Sequence, residues 1–352
     1  MKESENIVIV GAGLAGLTLG YYLSQHNVPY TIIESNNRIG GRIYTDESYG
    51  EAPVELGATW FGKQHTELQK LLKELHLPWF EQILGDKAIY EPISTSPPMM
   101  VDLPKNNDPS FRIQGGTQQL IKALLNFIPK NALVTNCQVT AISFEQDNVQ
   151  IKTNKGHISA KKVVSTLPPN LMANTITITP PLNKNLLEKA RNTQTWMGES
   201  IKIALTYNQP FWRKENLSGT LFSNVGPISE LYDHANAKDN LYALKGFLNG
   251  VYYNKTKAER QIIVLNQLER YYGLQIHNYV NYKEKVWRND THTFVPHKEL
   301  VWPHQHHGDE SYQKSYYQQK FWMIGTETSP QFGGYMEGAV RSAQRCFGEI
   351  SL

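Results

Sequence analysis

The residues with the clearest chemical meaning lie near the N-terminus. Gly11-Ala12-Gly13-Leu14-Ala15-Gly16 sits between the apolar run Ile7-Val8-Ile9-Val10 and a stretch where Leu14, Leu17, Tyr21 and Tyr22 recur at helical spacing. In such a strand, turn and helix, the first glycine permits the tight turn and the second lets backbone approach a pyrophosphate. The third lets helix and strand pack closely, and the phosphate charge meets the helix N-terminus. Glu34 ends the next apolar run, Tyr30-Thr31-Ile32-Ile33, where a carboxylate can accept hydrogen bonds from a ribose diol. Together these residues mark a dinucleotide site without choosing between a nicotinamide and a flavin.

Other candidates are weaker. Lys202 shares one face of an alternating segment with the small residues Ala204 and Thr206, while Ile201, Ile203, Leu205 and Tyr207 form the other face. It is either a solvated lysine or a cation held for chemistry. His304, His306 and His307 invite a metal reading, but no thiolate or acidic set has suitable spacing, and no metal is expected. Cys137 and Cys346 are too few for a disulfide framework and fit a reducing compartment. No Ser/His/Asp or Cys/His motif argues for hydrolysis.

The elements that must position these residues follow from hydrophobic periodicity. Leu68, Leu71, Leu72 and Leu75 form one helical stripe, and Ile121, Leu124, Leu125 and Ile128 form another. Short period-two runs between about Ala132 and Thr166 predict a β-meander, and residues 200–207 predict a strand of a second sheet. Residues 256–272 read as a helix, 282–287 as a strand, and Ala339, Ala343, Phe347 and Ile350 as one face of a final helix. A chain of 352 residues exceeds what one core usually organises, so two domains or one large α/β domain are expected. Thirty-five basic against thirty-two acidic side chains leave a net charge of +3, too balanced to predict nucleic-acid binding. The start, MKESENIVIV, lacks a signal-peptide pattern, and no apolar stretch reaches membrane-spanning length. A cytoplasmic protein without a membrane anchor is expected.

Beyond the first glycine loop, the chain resembles a family. Arg38-Ile39-Gly40-Gly41-Arg42, Glu55-Leu56-Gly57-Ala58-Thr59-Trp60, Arg112-Ile113-Gln114-Gly115-Gly116, Gly325-Thr326-Glu327-Thr328 and Gly334-Tyr335-Met336-Glu337-Gly338-Ala339 occur in the order found in flavin-containing amine oxidases of the monoamine and polyamine oxidase type. The resemblance runs from residue 7 to residue 350. It implies an α/β fold in which a Rossmann-like FAD-binding domain (1–62, 112–170 and 320–352) is interleaved with an α+β substrate domain (63–111 and 171–319). It implies hydride transfer from an amine to flavin N5, hydrolysis of the imine to an aldehyde or ketone, and reoxidation by oxygen to hydrogen peroxide. A flavin-dependent desaturase or other tailoring enzyme, and less well a reduced-flavin sugar-nucleotide mutase, share parts of the pattern.

The resemblance also assigns roles. Gly40, Gly41 and Arg42 would close over the pyrophosphate, Val139 would meet the adenine through its backbone, and Glu327 would accept from the ribityl chain. Gly57 and Ala58 would let backbone lie against the flavin ring, and Met336 would donate toward the pyrimidine oxygen from a helix N-terminus. Ala15, Thr59 and Gly325 join these cofactor positions. Lys202 would stand near N5, favouring reaction with oxygen, and Tyr335 would form one wall of an aromatic cage. The opposite wall has no matching tyrosine; His292, Phe294 or Trp60 could replace it. The segment Thr291 to Pro296 lacks the cysteine that bonds to flavin in some relatives, so non-covalent FAD is expected. The implied partners are a small-molecule amine and oxygen, with neither nucleic acid nor membrane, and a homodimer is compatible. The stretch Gly62 to Arg112 is compact, which predicts a reduced lid and a more open entrance.

Overall fold

The computed structural model describes residues 7–105, 107–214 and 217–350. The polar start Met1 to Asn6, read above as carrying no leader, lies outside them. The apolar run Ile7–Val10 is buried along its whole length, as expected of a strand covered on both faces. It is the centre of a five-stranded parallel sheet in the order Phe321–Met323, Lys162–Ser165, Ile7–Val10, Tyr30–Ile33, Leu133–Val134. The helix Leu14–Gln25 crosses over to the second strand, and the closing helix Met336–Ile350 packs against it. Leu17, Leu19, Ile32, Val340 and Ala343 share this core.

The meander is shorter than the period-two runs suggest. Only Val139–Phe144, Val149–Thr153 and Gly156–Ala160 form it, joined by a parallel partner, Thr177–Thr179. Leu133–Val134 and Lys162–Ser165 pair instead with the parallel sheet, because short apolar runs fit a sheet covered on both faces as well as they fit a hairpin.

A seven-stranded sheet forms the other half, in the order Asn281–Val286, Ile201–Tyr207, Tyr242–Leu248, Ile228–Asp233, Leu221–Ser223, Lys87–Glu91, Met99–Asp102. Its outer face is apolar. Ile203, Leu205 and Leu244 pack under the helix Lys257–Tyr272 through Val264, Leu265 and Leu268. A capping box, Thr256 with Glu259, starts that helix. The inner face explains the small residues beside Lys202: Ala204 and Ala243 admit Ala52, Val54 and Leu56, which belong to the segment lying between the two halves.

The helix Thr66–Glu74 falls within 63–111, the stretch expected in the substrate domain. It packs instead on the closing helix, and Leu68, Leu71, Leu72 and Leu75 join the core of the parallel sheet. Its attachment is specific. The fully buried carboxylate of Glu337 accepts from the N–H groups of Glu67 at 3.1 Å and Leu68 at 2.7 Å, and from Arg341 Nε at 2.6 Å. Two otherwise orphaned N–H groups at a helix start are thereby satisfied by charge. Glu337→Ala is expected to lower stability by roughly 2–4 kcal/mol, because a hydrogen-bonded buried carboxylate is lost and its donors stay buried. A drop in the thermal or denaturant midpoint would show it, and an unchanged midpoint would refute this account of the clamp.

Candidate active site

A cavity of about 760 Å³ lies between the parallel sheet and the inner face of the seven-stranded sheet. Its nucleotide end is built by two glycine loops. Gly11 has φ +109° and leaves the first strand beside Thr166, whose Oγ1 would lie 2.5 Å from any Cβ there. Gly41, at φ +56°, would bring a Cβ within 3.2 Å of the Gly13 Cα, so the loops nearly touch and only glycine allows it. The Gly40 N–H donates to the Ala12 carbonyl at 2.8 Å. A Cβ on Gly16 would collide with the Gly11 carbonyl oxygen, which accounts for the third glycine of the motif.

Glu34 lines this end and is buried. Its carboxylate accepts from the Ala12 N–H at 2.8 Å and the Asn36 N–H at 2.8 Å, so it braces the loop as well as facing the cavity. Arg38 was not singled out by sequence, yet its guanidinium ties the second loop together by donating to the Ile43 carbonyl at 2.8 Å and the Ile39 carbonyl at 3.2 Å. Its position in the Arg-Ile-Gly-Gly-Arg motif was the available signal.

Arg42 lines the cavity and forms a two-pronged pair with Glu327, Nη1 to Oε1 at 2.5 Å and Nη2 to Oε2 at 2.8 Å. Burial disfavours the Glu327 carboxylate, but the adjacent guanidinium outweighs it and holds the pKa below the usual carboxylate range. Glu327 also accepts from the Trp196 N–H at 3.1 Å, and Arg42 donates to the Trp196 carbonyl at 3.1 Å.

Gly11, Gly13, Ala15, Gly40, Gly41 and Gly325 all line the nucleotide part. Gly57, Ala58, Thr59, Trp60, Lys202, Tyr335 and Met336 line the remainder. Three predicted positions stand off it. Gly16 is packed inside its helix, Glu327 lies behind Arg42, and Val139 opens onto a small adjoining hollow with Cys137, Gln138 and His292. The glycine loops, the acid at the strand end and the cavity's volume suit an FAD, whose phosphates Gly11, Gly13, Gly40, Gly41 and Arg42 could hold.

Lys202 is buried, which removes the solvated alternative. Its ammonium donates to the Gly57 carbonyl and lies 5.2 Å from the Phe247 ring centroid. Burial lowers its pKa to about 8, partly offset by the Glu55 carboxylate. Tyr335 is 42% exposed at the mouth, where His65 packs on it at 5.5 Å between ring centroids. Of the suggested opposite walls, Trp60 and His292 reach the cavity. Phe294 does not: it is buried beneath Gly198, where the tight turn after Trp196 leaves room for its ring.

Trp196, like Phe247 and Trp287, lines the cavity without having been singled out by the sequence. It lines the cavity 6.1 Å from Tyr335 and is stacked by His304 at 4.0 Å. The histidine loop thus buttresses an aromatic wall, with His307 Nε2 also bonded to the Gln194 carbonyl at 2.7 Å. Phe247 and Glu230, opposite one another on neighbouring strands, complete the end away from the glycine loops. Among the described residues no helix is long and apolar enough to cross a membrane.

Comparison with known proteins agrees with this geometry. The family model for flavin containing amine oxidoreductase matches residues 98–350, and the model for NAD(P)-binding Rossmann-like domain matches 9–75. The "Probable flavin-containing monoamine oxidase A" of Dictyostelium discoideum is 24% identical, with 99% of this chain and 98% of that protein covered. Two solved structures share the fold at TM-score 0.84. One is a putrescine oxidase described as bound to putrescine, 20% identical with 99% of each chain covered; the other is cyclohexylamine oxidase from Brevibacterium oxydans, 18% identical with 98% of each covered. A chain whose glycine loops, cavity and family match coincide in this way belongs to the flavin-containing amine oxidoreductases, as an enzyme whose cofactor is FAD.

Proposed function

We propose that this enzyme oxidises the carbon–nitrogen bond of a small amine, releasing an aldehyde or ketone after imine hydrolysis, with oxygen as the final acceptor and hydrogen peroxide as its product. Bound FAD supplies the two-electron oxidation. The observation that carries this reading is the buried Lys202 at a cavity wall shared with Trp60, Phe247, Trp196 and Tyr335, a cation at an aromatic-lined cavity.

Each residue has a task. Trp60, with its Nε1 fixed by Gln82 Oε1 at 2.8 Å, is held rigidly enough to orient an alkyl group. Tyr335 and Trp196 line the cavity where a neutral amine would be received. Lys202 holds a proton that stabilises anionic charge as oxygen is reduced. Glu230, among the described residues the one carboxylate that lines the cavity besides Glu34, suits an amine bearing a second cationic group, a preference that the putrescine-bound neighbour supports by analogy. Non-covalent binding of FAD is supported by the cysteines: both are buried, Cys346 inside the core and Cys137 beside the adjoining hollow.

Four outcomes are expected. Lys202 is protonated below about 8 and neutral above it, so reoxidation of the reduced enzyme by oxygen should slow as pH rises through about 8. Lys202→Met should lose about 10²–10³-fold in that rate at neutral pH together with the pH dependence; a stopped-flow rate equal to wild type removes the role. Glu230→Gln should lower kcat/KM for a diamine roughly 10–100-fold more than for a monoamine of equal length, and equal losses would discard the second cationic group. Acid or heat denaturation should release all flavin into the filtrate, whereas flavin kept on the chain contradicts non-covalent attachment.

A further inference from the structure

The inner face of the seven-stranded sheet carries four lysines. Lys202 stands opposite Lys285, and Ala204 stands opposite both Lys283 and Lys245. Two of the four have acids: Lys283 pairs with Asp46 and Glu51, and Lys285 pairs with Asp290 at 2.7 Å. Among the described residues Lys202 and Lys245 have no ion pair, although both are buried, Lys245 completely. A buried lysine without a carboxylate is costly unless it is uncharged or serves a purpose.

The two are nevertheless connected. Lys202 donates to the Gly57 carbonyl oxygen, the Thr59 hydroxyl donates to that same oxygen at 3.1 Å, and Lys245 Nζ donates to Thr59 Oγ1 at 3.2 Å. Both amines also lie against one ring, 5.2 Å and 4.2 Å from the Phe247 centroid, and Lys245 lies 3.8 Å from the centroid of Trp60. The connecting residues, Gly57 and Thr59, are themselves cavity walls.

We propose that Lys245 is a positioning residue for Lys202: a second buried amine, joined to it through Gly57 and Thr59, that leaves the pair with one positive charge at neutral pH and a second only on acidification. The charge at the cavity wall is thereby confined to Lys202 over the working range and changes in acid. This goes beyond the reaction assigned above and rests on it only for the task of Lys202.

The groups facing Lys245 support this. They are Lys202 on one neighbouring strand, Glu230 and Tyr232 on the other, Glu55 and Arg112 from the segments across the interface, and His234. Burial and then Lys202 push Lys245 well below the ordinary lysine range; Glu55 opposes them, Arg112 adds to the fall, and Glu230 opposes it last. Burial raises the pKa of Glu55, whose carboxylate is already occupied by Thr45 Oγ1 at 2.8 Å and Thr117 Oγ1 at 2.9 Å, while Glu230 accepts from the Tyr232 hydroxyl. With Lys202 carrying the proton, Lys245 is the amine that stays neutral.

The test is an NMR pH titration of holoenzyme carrying ¹³C-labelled lysine, assigned with Lys202→Met and Lys245→Met. In wild type Lys245 should titrate below Lys202, and Lys202→Met should raise the Lys245 midpoint by about one pH unit or more as the neighbouring cation is removed. An ordinary lysine midpoint for Lys245 in wild type, or one that does not move in Lys202→Met, overturns the proposal. Should Lys245→Met not fold, wild type and Lys202→Met alone still decide it. Flavin reoxidation provides a separate arm: wild type should show an inflection at the Lys245 midpoint that vanishes in Lys245→Met. Coupled midpoints with no such inflection would keep the lysine pair and instead reject Lys202 as the residue acting on oxygen.

Discussion

The pair of Arg42 with the buried Glu327 is the contact on which the rest of the cavity depends. It joins a loop after the second strand to the segment before the closing helix, and Trp196 adds a third strand of chain through its own N–H and carbonyl. Glu327 is almost wholly buried, so losing Arg42 would strand a charge at a cost of roughly 3–5 kcal/mol. The second glycine loop, the aromatic wall and the helix that presents Met336 are held in one frame by this single exchange of charge. A guanidinium has five N–H donors in a fixed fork, which lets Arg42 serve Glu327 and Trp196 while still bordering the cavity.

The segment from Val54 to Trp60 carries the complementary constraint. On one side it meets the small residues Ala204 and Ala243 of the seven-stranded sheet. On the other it lies against the second glycine loop: the Ala58 N–H donates to the Arg42 carbonyl at 3.0 Å, and a Cβ on Gly57 would strike backbone there. The Leu56 carbonyl accepts from Trp287 Nε1 at 2.7 Å. Cavity wall, lysine contacts and sheet packing are therefore borne by the same few residues, so a change meant for one will reach the others.

Legibility from sequence followed how local the physics was. Gly11 to Gly16 with Glu34 could be read because turn, strand and helix are neighbours in the chain and each residue type has a steric or charge reason there. Lys202 was visible for its oddity on an alternating strand. Lys245 was less so, since Leu244-Lys245-Gly246-Phe247 looks like any amphipathic strand until its partner strands place it beside Lys202. Trp196 and Phe294 show the same limit: both are aromatics in loops, yet Trp196 lines the cavity while Phe294 packs against Gly198, a contact between segments far apart in the chain. The ends of the meander were misplaced because an apolar pair such as Leu133 and Val134 has too short a period to tell a parallel partner from an antiparallel one.

The order of the parallel sheet also bears on how the chain is made. Its two central strands are complete within the first tenth of the sequence, their neighbour Lys162–Ser165 arrives midway, and Phe321–Met323 with the helix Met336–Ile350 comes last. Until then the apolar faces of Leu17, Leu19 and Val164 lack their final cover, since Val340 and Ala343 belong to that late segment. During synthesis the nascent chain therefore carries an unfinished apolar surface until that segment emerges, a species that invites chaperone capture or aggregation. Arg42 also waits for Glu327, so this ion pair closes only after a further 285 residues have been added.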